Sequence, residues 1–151
     1  MSTFSITRRT HIDAPPQRVL DLVTDLRSWD DWSPWEEMNP HAKRVYSGPA
    51  RGLGATCEWD DSRYFSGSVV VTAAESDRTE LDVLFRKPLP VRYRVRIDAI
   101  ATDLGCETIW TMTGRLGRLE KLVFTASGSE RRITSSFEQA LAGLKKAAER
   151  R

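Results

Sequence analysis

Val91-Arg92-Tyr93-Arg94-Val95-Arg96-Ile97-Asp98-Ala99 alternates apolar and charged residues without a break. Side chains along a strand point to opposite faces in turn. Val91, Tyr93, Val95, Ile97 and Ala99 therefore share one face, and Arg92, Arg94, Arg96 and Asp98 the other. A strand with one buried and one wet face belongs in an antiparallel sheet. Working outward, strand-like runs occupy 42–47, 54–60, 64–75, 79–87, 91–102 and 106–115. Turn residues separate them: Gly48-Pro49, Gly52 and Gly54, Asp60-Asp61-Ser62, Ser76-Asp77-Arg78, Pro88-Leu89-Pro90 and Leu104-Gly105. Such short connections make neighbours antiparallel.

The same parity places Leu81, Val83 and Phe85 inside, with Ala55, Cys57 and Trp59, and Thr108, Trp110 and Met112. Val69 and Val71 join them, although Val70 interrupts the alternation. At the N-terminus Phe4, Ile6, Thr10 and Ile12 repeat every second residue and predict one more strand. Arg8 falls on their inward face.

Asp13-Ala14-Pro15-Pro16 ends that strand and starts a helix, since proline is tolerated in a first helical turn. Asp13 is expected to favour the positive end of this helix. Val19, Leu20, Leu22, Val23 and Leu26 form its apolar face. Trp29, Trp32 and Trp35 follow, the first two sharing a face if this piece is helical. Ser33-Pro34 interrupts it. Leu119, Leu122 and Val123 suggest a helical turn, and Ser127-Gly128-Ser129 a break. Ile133, Phe137, Leu141, Leu144 and Ala148 then recur at helical spacing and mark one stripe of a long C-terminal helix. Lys145, Lys146, Arg150 and Arg151 suit its negative end.

This order predicts an α+β fold in one domain over residues 1–151: a seven-stranded curved antiparallel sheet around a long C-terminal helix, with two short helices between strands 1 and 2. One helix about 10 Å wide cannot cover seven strands spaced by about 4.8 Å. Bulky side chains, the short helices or a ligand must fill the remaining space.

Ile12-Asp13-Ala14-Pro15-Pro16-Gln17-Arg18-Val19, Asp25-Leu26-Arg27-Ser28-Trp29 and Trp32-Ser33-Pro34-Trp35 resemble the opening of the START/Bet v 1-like (SRPBCC) superfamily. More narrowly they resemble its bacterial polyketide cyclase/dehydrase-type branch. Gly48-Pro49 with Gly52 and Gly54, Trp59 followed by Gly67, Thr108-Ile109-Trp110-Thr111-Met112, and Phe137, Leu141 and Leu144-Lys145 extend the likeness over nearly the whole chain. The resemblance implies the helix-grip fold. It also implies an internal cavity for a hydrophobic molecule, since relatives bind lipids, sterols, quinones, plant hormones and polyketides, and a few are enzymes.

The candidate pocket is Trp32, Trp35, Cys57, Trp59, Val71, Val83, Phe85, Tyr93, Val95, Trp110, Met112, Phe137 and Leu141. Aromatic rings supply large rigid apolar area, and Trp and Tyr keep a hydrogen-bonding tip. Tyr93 and Trp59 are most like the groups that orient a polyketide in cyclising relatives. Arg8 either anchors a ligand carboxylate or phenolate or pairs with Glu36 or Glu37. Asp30, Asp31, Glu36 and Glu37 read as a solvated run, with acid–base chemistry only if one is desolvated.

Other chemistries find little support. His11 and His41 have no Cys, Asp or Glu partner at ligand spacing, so no metal is expected. Neither a nucleophile elbow nor a phosphate-binding loop occurs; Gly52-Leu53-Gly54 and Gly114-Arg115-Leu116-Gly117 read as turns, and no cofactor is expected. A net charge of +2 gives no reason to expect a nucleic-acid partner. The row Arg92, Arg94, Arg96 leaves open an interaction module on the outer sheet face. Two cysteines, no apolar leader and no long apolar run suit a cytoplasmic protein without membrane insertion, working as a monomer or weak homodimer.

Overall fold

The computed structural model describes residues 2–35, 40–61, 66–87, 90–119, 122, 126 and 128–150. Strand β1 (Ser2–Ile12) leads into helix α1 (Pro16–Thr24) and a 3₁₀ helix (Leu26–Asp31). Then come β2 (Lys43–Ser47), β3 (Thr56–Asp60), β4 (Ser66–Ala74), β5 (Arg78–Lys87), β6 (Val91–Thr102) and β7 (Gly105–Leu116). Helix α2 (Ser129–Glu149) closes the chain. The seven strands form one antiparallel sheet in the order β1-β7-β6-β5-β4-β3-β2. The expected fold class and strand positions are thus found.

The alternation in β6 behaves as its parity requires. Tyr93, Val95, Ile97 and Ala99 are buried, and Arg92, Arg94 and Arg96 are exposed. Helix α2 lies beside β1, and two contacts fix its direction. Arg8 meets Glu138, and the Lys145 ammonium donates to the His11 carbonyl at 2.9 Å. From Arg8 to His11 the strand advances by about 10 Å. From Glu138 to Lys145 the helix advances by about the same distance, so the two run side by side in one direction. Helix α1 follows directly from Ile12 and packs on β5, β6 and α2, so it covers that end of the sheet.

Two local readings change, and two others gain a partner from elsewhere. Helix α1 stops at Thr24, and Leu26 belongs to the 3₁₀ helix, because Asp25 leaves helical geometry and its side chain accepts from the Arg27 N–H. The Asp13 carboxylate, just ahead of α1, lies 2.9 Å from His11 Nε2. The last turn of α2 carries Lys146 as expected, and the Arg18 guanidinium on α1 also donates to the Ala148 and Arg150 carbonyls. Finally, β7 continues through Gly114 to Leu116 and makes no turn there, because Gly114 pairs with Phe4 on one side and Tyr93 on the other.

The 3₁₀ helix is held by its tryptophans. Trp29 and Trp32 donate their indole N–H groups to the Val23 and Leu22 carbonyls at the end of α1. The Trp29 and Trp32 rings lie 4.9 Å apart, as their spacing suggested. The Trp32 backbone then presses on α2 at Gly143, where a β-carbon would stand 2.1 Å from the Trp32 carbonyl oxygen.

Glu149 joins the far end of α2 to the end of β1. It accepts from the Asp13 N–H at 2.9 Å and from Lys145 at 2.6 Å. These two donors, the N–H first, hold its carboxyl below the ordinary value of 4.5. A carboxyl whose folded pKa is depressed stabilises the fold above the unfolded value and loses that contribution as pH falls through the folded one. Glu149→Gln should therefore lower the thermal midpoint near neutral pH, and its gap to wild type should shrink as pH falls below about 4.5. Unfolding midpoints of both proteins between pH 7 and 3 check this; a gap independent of pH would refute the clamp.

Candidate functional site

Strand register arranges the concave face in rows that cross the sheet. At one end, Val91, Phe85, Gly67 and Trp59 face one another across β6, β5, β4 and β3. Below them come Phe4, Gly114, Tyr93, Val83, Val69 and Cys57. The third row is Ile6, Met112, Val95, Leu81 and Val71, and the fourth is Arg8, Trp110, Ile97 and Thr79. Thr10, Thr108 and Ala99 follow toward α1.

Burial is graded along these rows. In the first, Val91, Phe85 and Trp59 are only partly buried although all point inward. In the second, Phe4 and Val83 are partly buried and Tyr93 is 7% exposed. From the third row on, the described apolar residues are buried, and Leu81, Ile97 and Ala99 are fully so. The cause is the cover: α1 and the C-terminal half of α2 sit over the deep rows. Among the described residues, Ile133 near the beginning of α2 is itself partly buried.

Two aromatic groups follow the gradient. The shallow group is a chain of edge-to-face contacts: Trp59 to Phe85 at 5.7 Å, Phe85 to Tyr93 at 5.5 Å, and Tyr93 to Phe4 at 5.6 Å. Trp59 lies over Gly67, whose lack of a side chain leaves room for the indole. The deep group centres on Trp110, with Phe137 at 5.6 Å, Trp35 at 5.8 Å and Trp32 at 6.2 Å. Trp35 is the partly buried member of this group. The fold thus separates the candidate residues. Trp59, Val83, Phe85 and Tyr93 line the shallow end, and Trp110, Met112 and Phe137 form its floor. Val71 lies in the deep, packed rows, as does Leu141, 3% exposed on α2. Phe4, Val91 and Ile133 also line the shallow end; the parity that put them inside was the signal for including them.

Polar groups are sparse in this region. Burial raises the Tyr93 phenol above its ordinary pKa, so it stays a neutral hydroxyl at physiological pH. The Trp110 indole N–H is buried without a hydrogen-bond partner. Leaving such a donor unsatisfied costs about 1–3 kcal/mol. Arg8 is at the side of the site: its Nε is 3.3 Å from Glu138 on α2, and its side chain is 41% exposed. Glu36 and Glu37, the alternative to a ligand as its partner, lie outside the described residues. Asp30 and Asp31 are exposed. Among the described residues no three His, Cys, Asp or Glu side chains gather as a metal site, and no helix is long and apolar enough to cross a membrane. Cys57 and Cys106 are both buried as free thiols.

A curved seven-stranded sheet gripping one long helix defines a helix-grip protein. The model of the family described as polyketide cyclase / dehydrase and lipid transport matches residues 3–149, and the chain belongs to that family. Protein CV1439 from Chromobacterium violaceum has the same fold, with a TM-score of 0.71 and 16% identity over 97% of this chain and 98% of its own. The di-domain ARO/CYC BexL from the BE-7585A biosynthetic pathway matches with a TM-score of 0.67 and 22% identity over 99% of this chain, which spans 51% of BexL. Ara h 8.0201 matches with a TM-score of 0.58 and 9% identity over 97% of this chain and 98% of its own. No curated protein matches the sequence.

Proposed function

We propose that the protein binds and carries an apolar, ring-containing small molecule at the shallow end of its concave face. One observation carries the reading: inward-pointing Trp59, Phe85, Val83 and Val91 are left partly exposed by a fold that seals the deeper rows. Concave sites lined by aromatic side chains with few polar groups are typical small-molecule sites. Membership of a cyclase, dehydrase and lipid-transport family supports the same reading. The function belongs to one domain over residues 1–151, acting in the cytoplasm as a monomer or weak homodimer without nucleic acid.

The second reading is a cyclase/dehydrase or aromatase-type enzyme. The desolvated, protonated Tyr93 hydroxyl favours it, as a donor that could hold an enolate oxygen in place. The interaction-module reading loses ground on the outer face. Arg94 is 3.5 Å from Asp82, Arg96 is 2.9 Å from Asp98 and Arg86 is 3.9 Å from Glu58, so much of the basic row is compensated locally.

Native mass spectrometry of the gently purified protein, followed by solvent extraction, tests the proposal. The expected result is an apolar ring compound held in roughly equimolar amount and released by unfolding. A protein that carries nothing and takes up no ring compound or lipid offered to it would overturn the carrier reading.

A further inference from the structure

Trp110 lies in the fourth row, at the floor beneath the shallow end of the concave face. Its indole is 1% exposed and lies against Phe137, Trp35 and Trp32. Two neighbouring indole donors serve the structure. Trp29 donates to the Val23 carbonyl at 2.9 Å and Trp32 to the Leu22 carbonyl at 3.3 Å. Trp110 has no such acceptor, and its Nε1 is buried without a partner. Phenylalanine would fill nearly the same space among these rings without bringing a polar atom that must be satisfied. A buried N–H that the protein does not satisfy calls for an explanation, and an acceptor brought in by a ligand as the surrounding rings shift is one.

We propose that the Trp110 indole N–H is the polar anchor of the site, donating a hydrogen bond to an oxygen at the buried end of the ligand. This rests on the binding reading above and narrows its ligand class. The guest is a ring system bearing a carbonyl or phenolate oxygen, in preference to a pure hydrocarbon or an aliphatic chain. The rings of Trp35 and Phe137 flank the anchor, so the oxygen-bearing ring is inserted first. No charged side chain is needed to hold it: Arg8, in the same row on β1, is already engaged by Glu138. Thr79, in the same row on β5, also has a buried oxygen without a partner. A trapped water is therefore the competing occupant of this layer.

9-Fluorenone and fluorene separate the two. They share a shape and differ by a carbonyl in place of a methylene. Equilibrium dialysis should show wild type binding fluorenone roughly tenfold more tightly than fluorene, the effect of one hydrogen bond to a buried donor. Trp110→Phe should lose the preference for fluorenone over fluorene. A cooperative thermal unfolding transition shows that the variant is folded. In ¹⁵N-labelled wild type, one indole N–H resonance should move downfield with fluorenone and stay in place with fluorene. Equal affinity of wild type for both compounds, as expected if water keeps the N–H, would overturn the anchor while leaving the binding reading intact. So would a preference that survives in Trp110→Phe. Binding of neither compound to wild type would overturn both.

Discussion

Gly143→Ala is expected to destabilise the protein by about 2 kcal/mol. Alanine in place of glycine inside a helix ordinarily adds about 1 kcal/mol of stability. Here the sign is reversed by a contact from outside the helix. A β-carbon on residue 143 would stand 2.1 Å from the Trp32 carbonyl oxygen, and a backbone atom cannot swing aside as a side chain can. Either α2 lifts from the sheet or the 3₁₀ helix moves away. The second movement drags Trp32, whose ring contacts Trp29 and Trp110 and whose indole holds the end of α1. Overpacking of this kind costs about 1–3 kcal/mol. For a chain of this length, 2 kcal/mol corresponds to a fall in Tm of about 4–8 °C. Thermal unfolding checks it. A rise in Tm would show that helix propensity wins and that Trp32 does not press on α2.

What was legible in the sequence was whatever repeats locally. The unbroken alternation of Val91 to Ala99 set the face of β6, and through the register the faces of its neighbours. The spacing of Ile133 to Ala148 gave α2 its buried stripe. Contacts between distant residues were not legible. Arg18 capping α2 joins residues 130 and 132 positions apart, and nothing near Arg18 announces it. The Arg8–Glu138 pair is of the same kind, so parity placed Arg8 but could not name its partner. Gly114 read as a turn because the rings of Phe4 and Tyr93, which close over a glycine within a strand, lie on other strands.

The candidate site was legible as a set of residue types and less so as a place. Pattern alone treats Val71 and Val83 alike, since both alternate inward on adjacent strands. Depth separates them: Val71 is 1% exposed, and Val83 is only partly buried. That depth is set by where α1 and α2 end, not by anything in β4 or β5. Likewise, the aromatic residues formed one group in the sequence but two in the fold, because Phe4 and Tyr93 lie two rows from Trp110, four residues or about 13 Å along a strand.

The central claim is that the deep rows carry stability and the shallow rows carry binding. Denaturant unfolding of wild type, Leu144→Ala and Phe85→Ala, each with and without a ring hydrocarbon such as fluorene, tests it most directly. Leu144 is fully buried on α2, and its truncation should cost about 3–4 kcal/mol, within the range for buried leucines. Phe85 is partly exposed and packs on Trp59 and Tyr93; its truncation should cost no more than about 2 kcal/mol. A ligand at ten times its Kd adds about 1.4 kcal/mol to the protein that binds it. Wild type and Leu144→Ala should both gain that increment, and Phe85→Ala should gain little of it. If Phe85→Ala keeps the full increment, or costs as much stability as Leu144→Ala, the shallow rows are ordinary core and the account is contradicted.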